Sequence, residues 1–168
     1  PDHSGALPEV IDDLKPEVVY ASATGVRILD AQFHIGDRLT PVKTGDSIDL
    51  GGLTLSFVET KMLHWPDSMF SYLKEEKLLF SQDAFGMHLA TDRMYDDENP
   101  WDVVEFEMRK YYANILLLYS PQVLKLLEVF PSLNLDVQYI ATDHGPVWRG
   151  ADIAKPLALY REFAEQKP

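Results

Sequence analysis

The chain contains no cysteine among its 168 residues. It therefore cannot form a disulfide, a thiolate metal site or a cysteine nucleophile, and we expect a protein of the reducing cytoplasm. Clustered positive charge is also absent, and the formal net charge is −12. Nucleic acids and anionic membrane surfaces both require clustered Lys and Arg, so the sequence predicts neither as a partner.

Long apolar runs are missing as well. No run approaches the roughly 20 residues of a transmembrane helix, and the chain has no signal-like start. The length and a hydrophobic content of 46% predict one globular domain with a substantial core. The motif Asp2-His3-Ser4-Gly5 follows the first residue, and residues 163–168 form a polar tail. We therefore expect an incomplete domain over residues 1–162, followed by the start of a linker over 163–168.

The region around residues 61–88 predicts a β-hairpin. Residues 69–73 and 78–80 are short apolar strands, joined by the charged turn 74–77. His64 precedes the first strand and Asp83 follows the second. Since the open ends of an antiparallel pair lie close together, we expect these two side chains to face a common point.

The rest of the chain mixes helical and strand patterns. Gly51-Gly52 between two period-two segments indicates a second hairpin, within an antiparallel region that begins near Leu39. The longest helix is predicted over 101–119, with an apolar face that includes Leu118. Other helices are expected over 4–14, 24–33, 121–130 and 152–164, and other strands over 18–21 and 138–141. Together these patterns predict an α/β layered sandwich.

Several His and Asp residues stand at the ends of predicted elements, in loops with Gly or Pro. They are Asp2, His3, His64, Asp83 and His144. Loops at one edge of a sheet are where binding groups gather, and imidazole with carboxylate suits iron, zinc or manganese. A bridging carboxylate such as Asp83 could hold two cations at a separation of about 3.5–4 Å.

Other polar residues have simpler interpretations. His34 is expected at the surface at a helix end, and the acidic run 96–98 as a solvated loop, because it lacks the alternating ligand pattern of a calcium site. For His88 we keep two alternatives, a supporting contact to a metal ligand or an ordinary hydrogen bond. Trp148 is a packing candidate, although it lies four residues beyond His144.

Five segments together resemble the flavodiiron proteins. Asp2-His3 is similar to the end of that family's His-x-Glu-x-Asp-His motif. Residues 63–69 resemble its second ligand segment, and residues 79–86 resemble its bridging-aspartate segment. Residues 111–115 resemble one of its helix stretches, and residues 143–149 resemble its last ligand loop.

This resemblance implies the C-terminal part of a metallo-β-lactamase-like αββα sandwich. It also implies two non-haem iron ions that reduce O₂ to water, nitric oxide to N₂O, or both. Asp2, His3 and His144 would bind one iron and His64 the other, with Asp83 between them. The electrons would come from FMN in a flavodoxin-like domain, and Trp148 would lie near the FMN of a partner protomer.

The family also implies partners and further ligands. We expect a head-to-tail homodimer or tetramer, and an electron donor such as rubredoxin or a reductase. The family's first His and its Glu have no counterpart in the chain, and both would serve the iron that His64 binds. The chain alone is therefore expected to have a damaged or empty metal site and no turnover.

Two other functions are compatible with the sequence. A zinc-dependent hydrolase on the same fold would use a metal-bound water as its nucleophile. A non-catalytic remnant would act as an interaction domain. Metal content separates the first alternative from a diiron enzyme, and a coupled iron pair would exclude the second.

Overall fold

The computed structural model describes residues 3–166 of the chain. The predicted ligand Asp2 lies outside the described residues. The α-helices are α1 (Leu7–Leu14), α2 (Ala23–Phe33), α3 (Trp101–Tyr111), α4 (Ser120–Val129) and α5 (Ala154–Glu165). The strands are β1 (Val19–Ser22), β2 (Leu39–Val42), β3 (Ser47–Asp49), β4 (Thr54–Glu59), β5 (Met69–Leu73), β6 (Leu78–Gln82), β7 (Tyr139–Thr142) and β8 (Trp148–Arg149).

Six strands form the main sheet in the order β3-β4-β5-β6-β7-β8. Both predicted hairpins are confirmed, since β3 pairs with β4 and β5 with β6 in antiparallel register. Strand β7 lies parallel to β6, and the register shifts by one residue between Phe80 and Gln82. Gln82 has a positive φ of 52°. This bulge bends the chain just before Asp83.

Residues 39–42 were predicted as part of the antiparallel region, and this prediction is wrong. Strand β2 pairs in parallel with β1 in a separate two-stranded sheet. Helices α1 and α2 pack on these two strands around Ile11, Ile35 and Leu39. Period-two alternation reports that a segment is a strand and which side is buried, but carries no information about its pairing partner.

The main core lies between the six-stranded sheet and helices α3, α4 and α5. A mixed six-stranded sheet and a parallel two-stranded sheet, both packed against helices, confirm the predicted α/β class. Helix α5 continues past the expected domain boundary at residue 162 and buries Phe163 and Ala164. These two residues therefore belong to the packed core and not to a linker.

The predicted helix over 101–119 is continuous but changes type. After α3 comes one π-helical segment, Tyr112–Leu116, and then a 3₁₀ turn, Leu117–Tyr119. Leu118, predicted on the buried face, is 86% exposed, whereas Leu116 is fully buried. The π-helical segment rotates the buried face by one residue, which the helical period of the sequence does not reveal.

One helical run among the described residues, Trp101–Leu133, is long and apolar enough to cross a membrane by length and composition alone. A core helix of a globular protein passes the same test. Val104, Met108, Leu116 and Val123 are fully buried in the main core. Part of the apolar surface of the run is therefore used in packing against the main core, whereas Phe106 and Leu118 are exposed.

Candidate metal centre

Asp83 lies at the centre of three imidazoles. Its carboxylate Oδ1 is 3.2 Å from His3 Nε2 and 3.3 Å from His144 Nε2. Its other oxygen, Oδ2, is 3.3 Å from His64 Nε2. The structure thus brings together the four described residues that were predicted to bind metal, although they are spread over more than 140 positions of the chain.

His64 is carried by a compact connection between β4 and β5. Thr60 N–H donates to Ser68 O at 2.9 Å, which closes the base of this loop. Trp65 N–H donates to Ser68 Oγ at 3.1 Å. These bonds hold the loop against the end of the hairpin and fix the position from which His64 faces Asp83.

Asp83 is buried at the start of a tight turn after β6. Ser81 Oγ donates to Ala84 O at 2.7 Å, and Gly86 N–H donates to Asp83 O at 3.2 Å. A Cβ at Gly86 would lie only 3.0 Å from His144 O, so glycine permits this close approach. The turn that presents Asp83 therefore packs directly on the loop that presents His144.

The His144 loop follows β7 and interlocks with the same turn. Met87 N–H donates to His144 O at 3.1 Å, and Thr142 Oγ1 donates to that oxygen at 2.8 Å. Gly145 has a φ of +91°, and a Cβ there would lie 2.7 Å from Met87 Cγ. Only glycine fits this position without displacing Met87.

Two contacts at the centre were not identified as site residues from the sequence. Tyr111 Oη donates to Asp83 Oδ1 at 3.2 Å, and the phenol is buried. Asp143 Oδ2 lies 3.4 Å from His3 Nδ1. From the sequence, Tyr111 was placed only in a predicted helix and the matched segment 111–115, and Asp143 only in the matched segment 143–149. The position of Asp143 next to His144 was the signal that could have identified it.

His88 lies beside the centre but does not contact Asp83 through a described hydrogen bond. Its exposed ring meets His144 edge-on at a centroid distance of 5.1 Å and Tyr111 at 4.8 Å. A supporting role for His88 stays a prediction. His34 ends α2 in the left-handed region, exposed as expected.

Trp148 is a packing residue, one of the two roles considered for it from the sequence. Its side chain is fully buried within this chain, and Nε1 donates to Phe85 O at 2.9 Å. A side chain without accessible surface cannot touch a flavin carried by another protomer. The structure therefore gives Trp148 a packing role that braces the Asp83 turn, and its predicted proximity to the FMN of a partner protomer stays a prediction.

A cavity of about 290 Å³ opens beside the cluster. Its lining includes His3, Asp83 and Asp143 on the polar side, and Trp65 and Leu29 on the apolar side. Trp65 is half exposed and its ring lies 5.7 Å from that of His64. A small molecule can therefore reach the Asp83 carboxylate and the His3 imidazole from solvent.

The donor set is suited to a metal ion. One atom each from His3, Asp83 and His144 lie within 4.8 Å of one another. Within residues 3–166, no Lys or Arg forms an ion pair with Asp83. A buried carboxylate faced only by imidazoles and a phenol lacks a permanent counter-charge, and a bound cation would provide it.

Comparisons with known proteins agree with this geometry. A family model described as "ODP family beta lactamase" matches residues 1–145. The chain is 42% identical to the "Rubredoxin-oxygen oxidoreductase" of Megalodesulfovibrio gigas, over 99% of this chain and 42% of that protein. It is 41% identical to the "Nitric oxide reductase" of Moorella thermoacetica, over 98% of this chain and 41% of that protein.

Solved structures show the same fold. The rubredoxin oxygen:oxidoreductase from Desulfovibrio gigas superposes with a TM-score of 0.94 at 41% identity, covering 98% of this chain and 42% of that one. The flavodiiron protein from Giardia intestinalis gives 0.81 at 34% identity, covering 88% and 36%.

The chain spans about two fifths of the length of these relatives. The predicted resemblance to flavodiiron proteins and the metallo-β-lactamase-like fold are confirmed. The match over residues 1–145 shows that the chain belongs to the ODP family of beta lactamases.

Proposed function

We propose that this chain carries the metal centre of an oxidoreductase that reduces O₂ to water, nitric oxide to N₂O, or both. The observation that carries the proposal is the division of imidazoles between the two oxygens of Asp83. His3 and His144 lie on Oδ1, and His64 lies on Oδ2. A carboxylate with ligands on both oxygens is suited to bridging two cations.

The residues would divide into two iron sites. His3 and His144, with Asp2, would hold one iron on the Oδ1 side, and His64 would contribute to the other on the Oδ2 side. When bound, the iron pair would supply redox chemistry and open coordination positions for O₂ or nitric oxide. The imidazoles must be neutral to bind, and Asp83 would offset part of the charge of both ions.

The remaining residues would shape the site. Tyr111 donates to Asp83 Oδ1 and would hold the carboxylate in its bridging orientation. Asp143 faces His3 Nδ1 and would fix the orientation of that ring. Reduction of O₂ to water or of nitric oxide to N₂O consumes protons together with electrons and requires no general base. We assign Tyr111 and Asp143 the role of positioning the ligands.

The names of the relatives favour a redox enzyme over a zinc hydrolase. The Megalodesulfovibrio gigas protein is named an oxidoreductase of rubredoxin and oxygen, and the Moorella thermoacetica protein a nitric oxide reductase. We propose the same class of reaction for this protein, with FMN in a flavodoxin-like domain, rubredoxin or a reductase as donor, and a head-to-tail homodimer or tetramer in the cytoplasm.

Metal analysis of the full-length protein tests the proposal. We expect about two irons per chain, and consumption of O₂ or nitric oxide when reduced rubredoxin is supplied. Zinc in place of iron, with hydrolysis of an ester or lactam substrate, would support the hydrolase instead. Absence of both metals from protein purified anaerobically would leave only an interaction domain.

A further inference from the structure

The π-helical segment Tyr112–Leu116 lies directly after the residue that contacts Asp83. Leu117 N–H donates to Tyr112 O, five residues back, as a π-helix requires. Such segments are rare and occur mostly as single turns within α-helices, often at functional sites. Here the segment separates Tyr111 from the part of the helical run that leads into α4.

The segment adds one residue to the helical repeat. Before it, Val104, Met108 and Tyr111 are buried at spacings of four and three. After it, Leu116 and Ser120 are buried, each one position later than an uninterrupted α-helical face would place them. The extra residue lets Tyr111 face the metal centre while the later residues face the main core.

Asn114 lies in the middle of this segment, exposed to solvent. Its side-chain Nδ2 donates to the backbone oxygen of Lys110 at 2.8 Å. A side chain that inserts a donor into the backbone ladder favours a local departure from α-helical bonding. Asn114 is therefore placed to stabilise the π-helical turn from outside.

We propose that Asn114 is a positioning residue for the metal centre. It acts by holding the turn that keeps the Tyr111 hydroxyl on Asp83 Oδ1, 3.2 Å away. This inference rests on the proposed function, in which Asp83 bridges two metal ions. Supporting contacts of metal ligands typically contribute about 10- to 100-fold to metal affinity.

Titration of the metal-free full-length protein with Co²⁺ measures the effect. We expect Tyr111→Phe and Asn114→Ala each to weaken Co²⁺ binding by about 10-fold. The double variant should be no weaker than Tyr111→Phe alone, because both changes remove the same contact. Additive losses in the double variant would show that Asn114 does not act through Tyr111.

Two further substitutions separate this role from general helix stability. A serine hydroxyl can donate to the carbonyl four residues back, so Asn114→Ser should restore most of the affinity. Asn114→Asp has no donor and should not. Lys110→Ala removes a neighbouring surface side chain, keeps the carbonyl that accepts from Asn114, and should leave the affinity unchanged.

A second measurement does not require metal. Fluorotyrosine incorporated into the metal-free protein gives a ¹⁹F resonance for Tyr111, assigned from its loss in Tyr111→Phe. We expect Asn114→Ala to shift this resonance and Asn114→Ser to restore it. An unchanged resonance in Asn114→Ala overturns the inference, whereas failure of the wild-type protein to bind Co²⁺ overturns the proposed function itself.

Discussion

Two buried aspartates in this molecule have opposite surroundings. Asp83 faces three imidazoles and a phenol. Asp96, near the other end of the His144 loop, is 3% exposed and accepts the backbone N–H of Arg149 at 3.1 Å. Its acidic neighbours have permanent cations, since Arg149 pairs with Asp97 at 2.8 Å and Lys155 with Asp152 at 2.6 Å.

The difference separates a structural cluster from a binding cluster. The Asp96 network is neutralised by cations of the chain itself, and it ties the 94–99 segment to β8. Burial is the main cause that raises the pKa of Asp96 to about 6, while Lys155 lowers that of Asp152. The Asp83 cluster has no such fixed cation among the described residues, and this is the property expected of a site that receives one.

The largest expected effect comes from removing the charge at the centre. Asp83→Asn keeps the size of the side chain but removes the charge shared by both proposed ions. We expect loss of both metals, with affinity reduced by at least about 100-fold. Metal content after anaerobic reconstitution measures it. Retention of two metals by this variant would contradict a bridging role for Asp83.

A smaller effect is expected at one of the two proposed ions. His64→Ala removes the imidazole on Oδ2 and leaves His3 and His144 on Oδ1. The metal content should fall from two ions towards one. His34→Ala is the matched control, because that exposed histidine ends α2 away from the cluster. Equal losses in both variants would indicate general destabilisation.

In the Asp96 network, the effect of a substitution on stability should depend on pH. In the folded state the pKa of Asp96 is raised from its usual 3.8 to about 6. The contribution of Asp96 to the free energy of unfolding is therefore fully present below pH 3.8 and is lost as the pH rises through about 6. Asp96→Asn mimics the protonated form. It should stabilise the fold by up to about 3 kcal/mol near neutral pH, and by almost nothing below about pH 4.

Urea denaturation at about pH 7.5 and about pH 4 measures this difference. Asp97, Arg149, Asp152 and Lys155 stay in place in the variant, so the change isolates the Asp96 carboxyl. A stability gain of the same size at both pH values would show that proton binding by Asp96 is not its cause. Metal content at about pH 7.5 should be the same in the variant and the wild-type protein.

The smallest effect on stability is expected from the exposed Arg149 side of the Asp96 network. Arg149→Ala removes the pair with Asp97 and the contact of the guanidinium with the Tyr95 ring, 3.8 Å from its centroid. Partly exposed pairs and cation–π contacts are worth about 1 kcal/mol or less. Thermal unfolding of Arg149→Ala at low and high salt measures this loss of stability. A loss of bound metal in the same variant would show that the Asp96 network and the Asp83 cluster are not independent.

The convergence of His64 and Asp83 was predictable because it follows from local patterns. A charged turn between two apolar strands fixes a hairpin, and a hairpin brings the ends of its strands together. His3 and His144 were harder to place from spacing. Their assignment depended on the resemblance of whole segments, because the fold that joins them is made of long-range pairings.

The errors come from features that have no local signature. The parallel pairing of β2 with β1 depends on a distant partner, and the exposure of Leu118 depends on one π-helical turn. The contact between Tyr111 and Asp83 depends on both the sheet and that turn.

Spectroscopy of the iron-loaded full-length protein tests the central claim most directly. If Asp83 bridges two ions, X-ray absorption should show an iron–iron distance of about 3.5–4 Å, and Mössbauer spectra should show a coupled pair that is lost in Asp83→Asn. A single uncoupled iron per chain, or a coupled pair that persists in Asp83→Asn, would contradict the account.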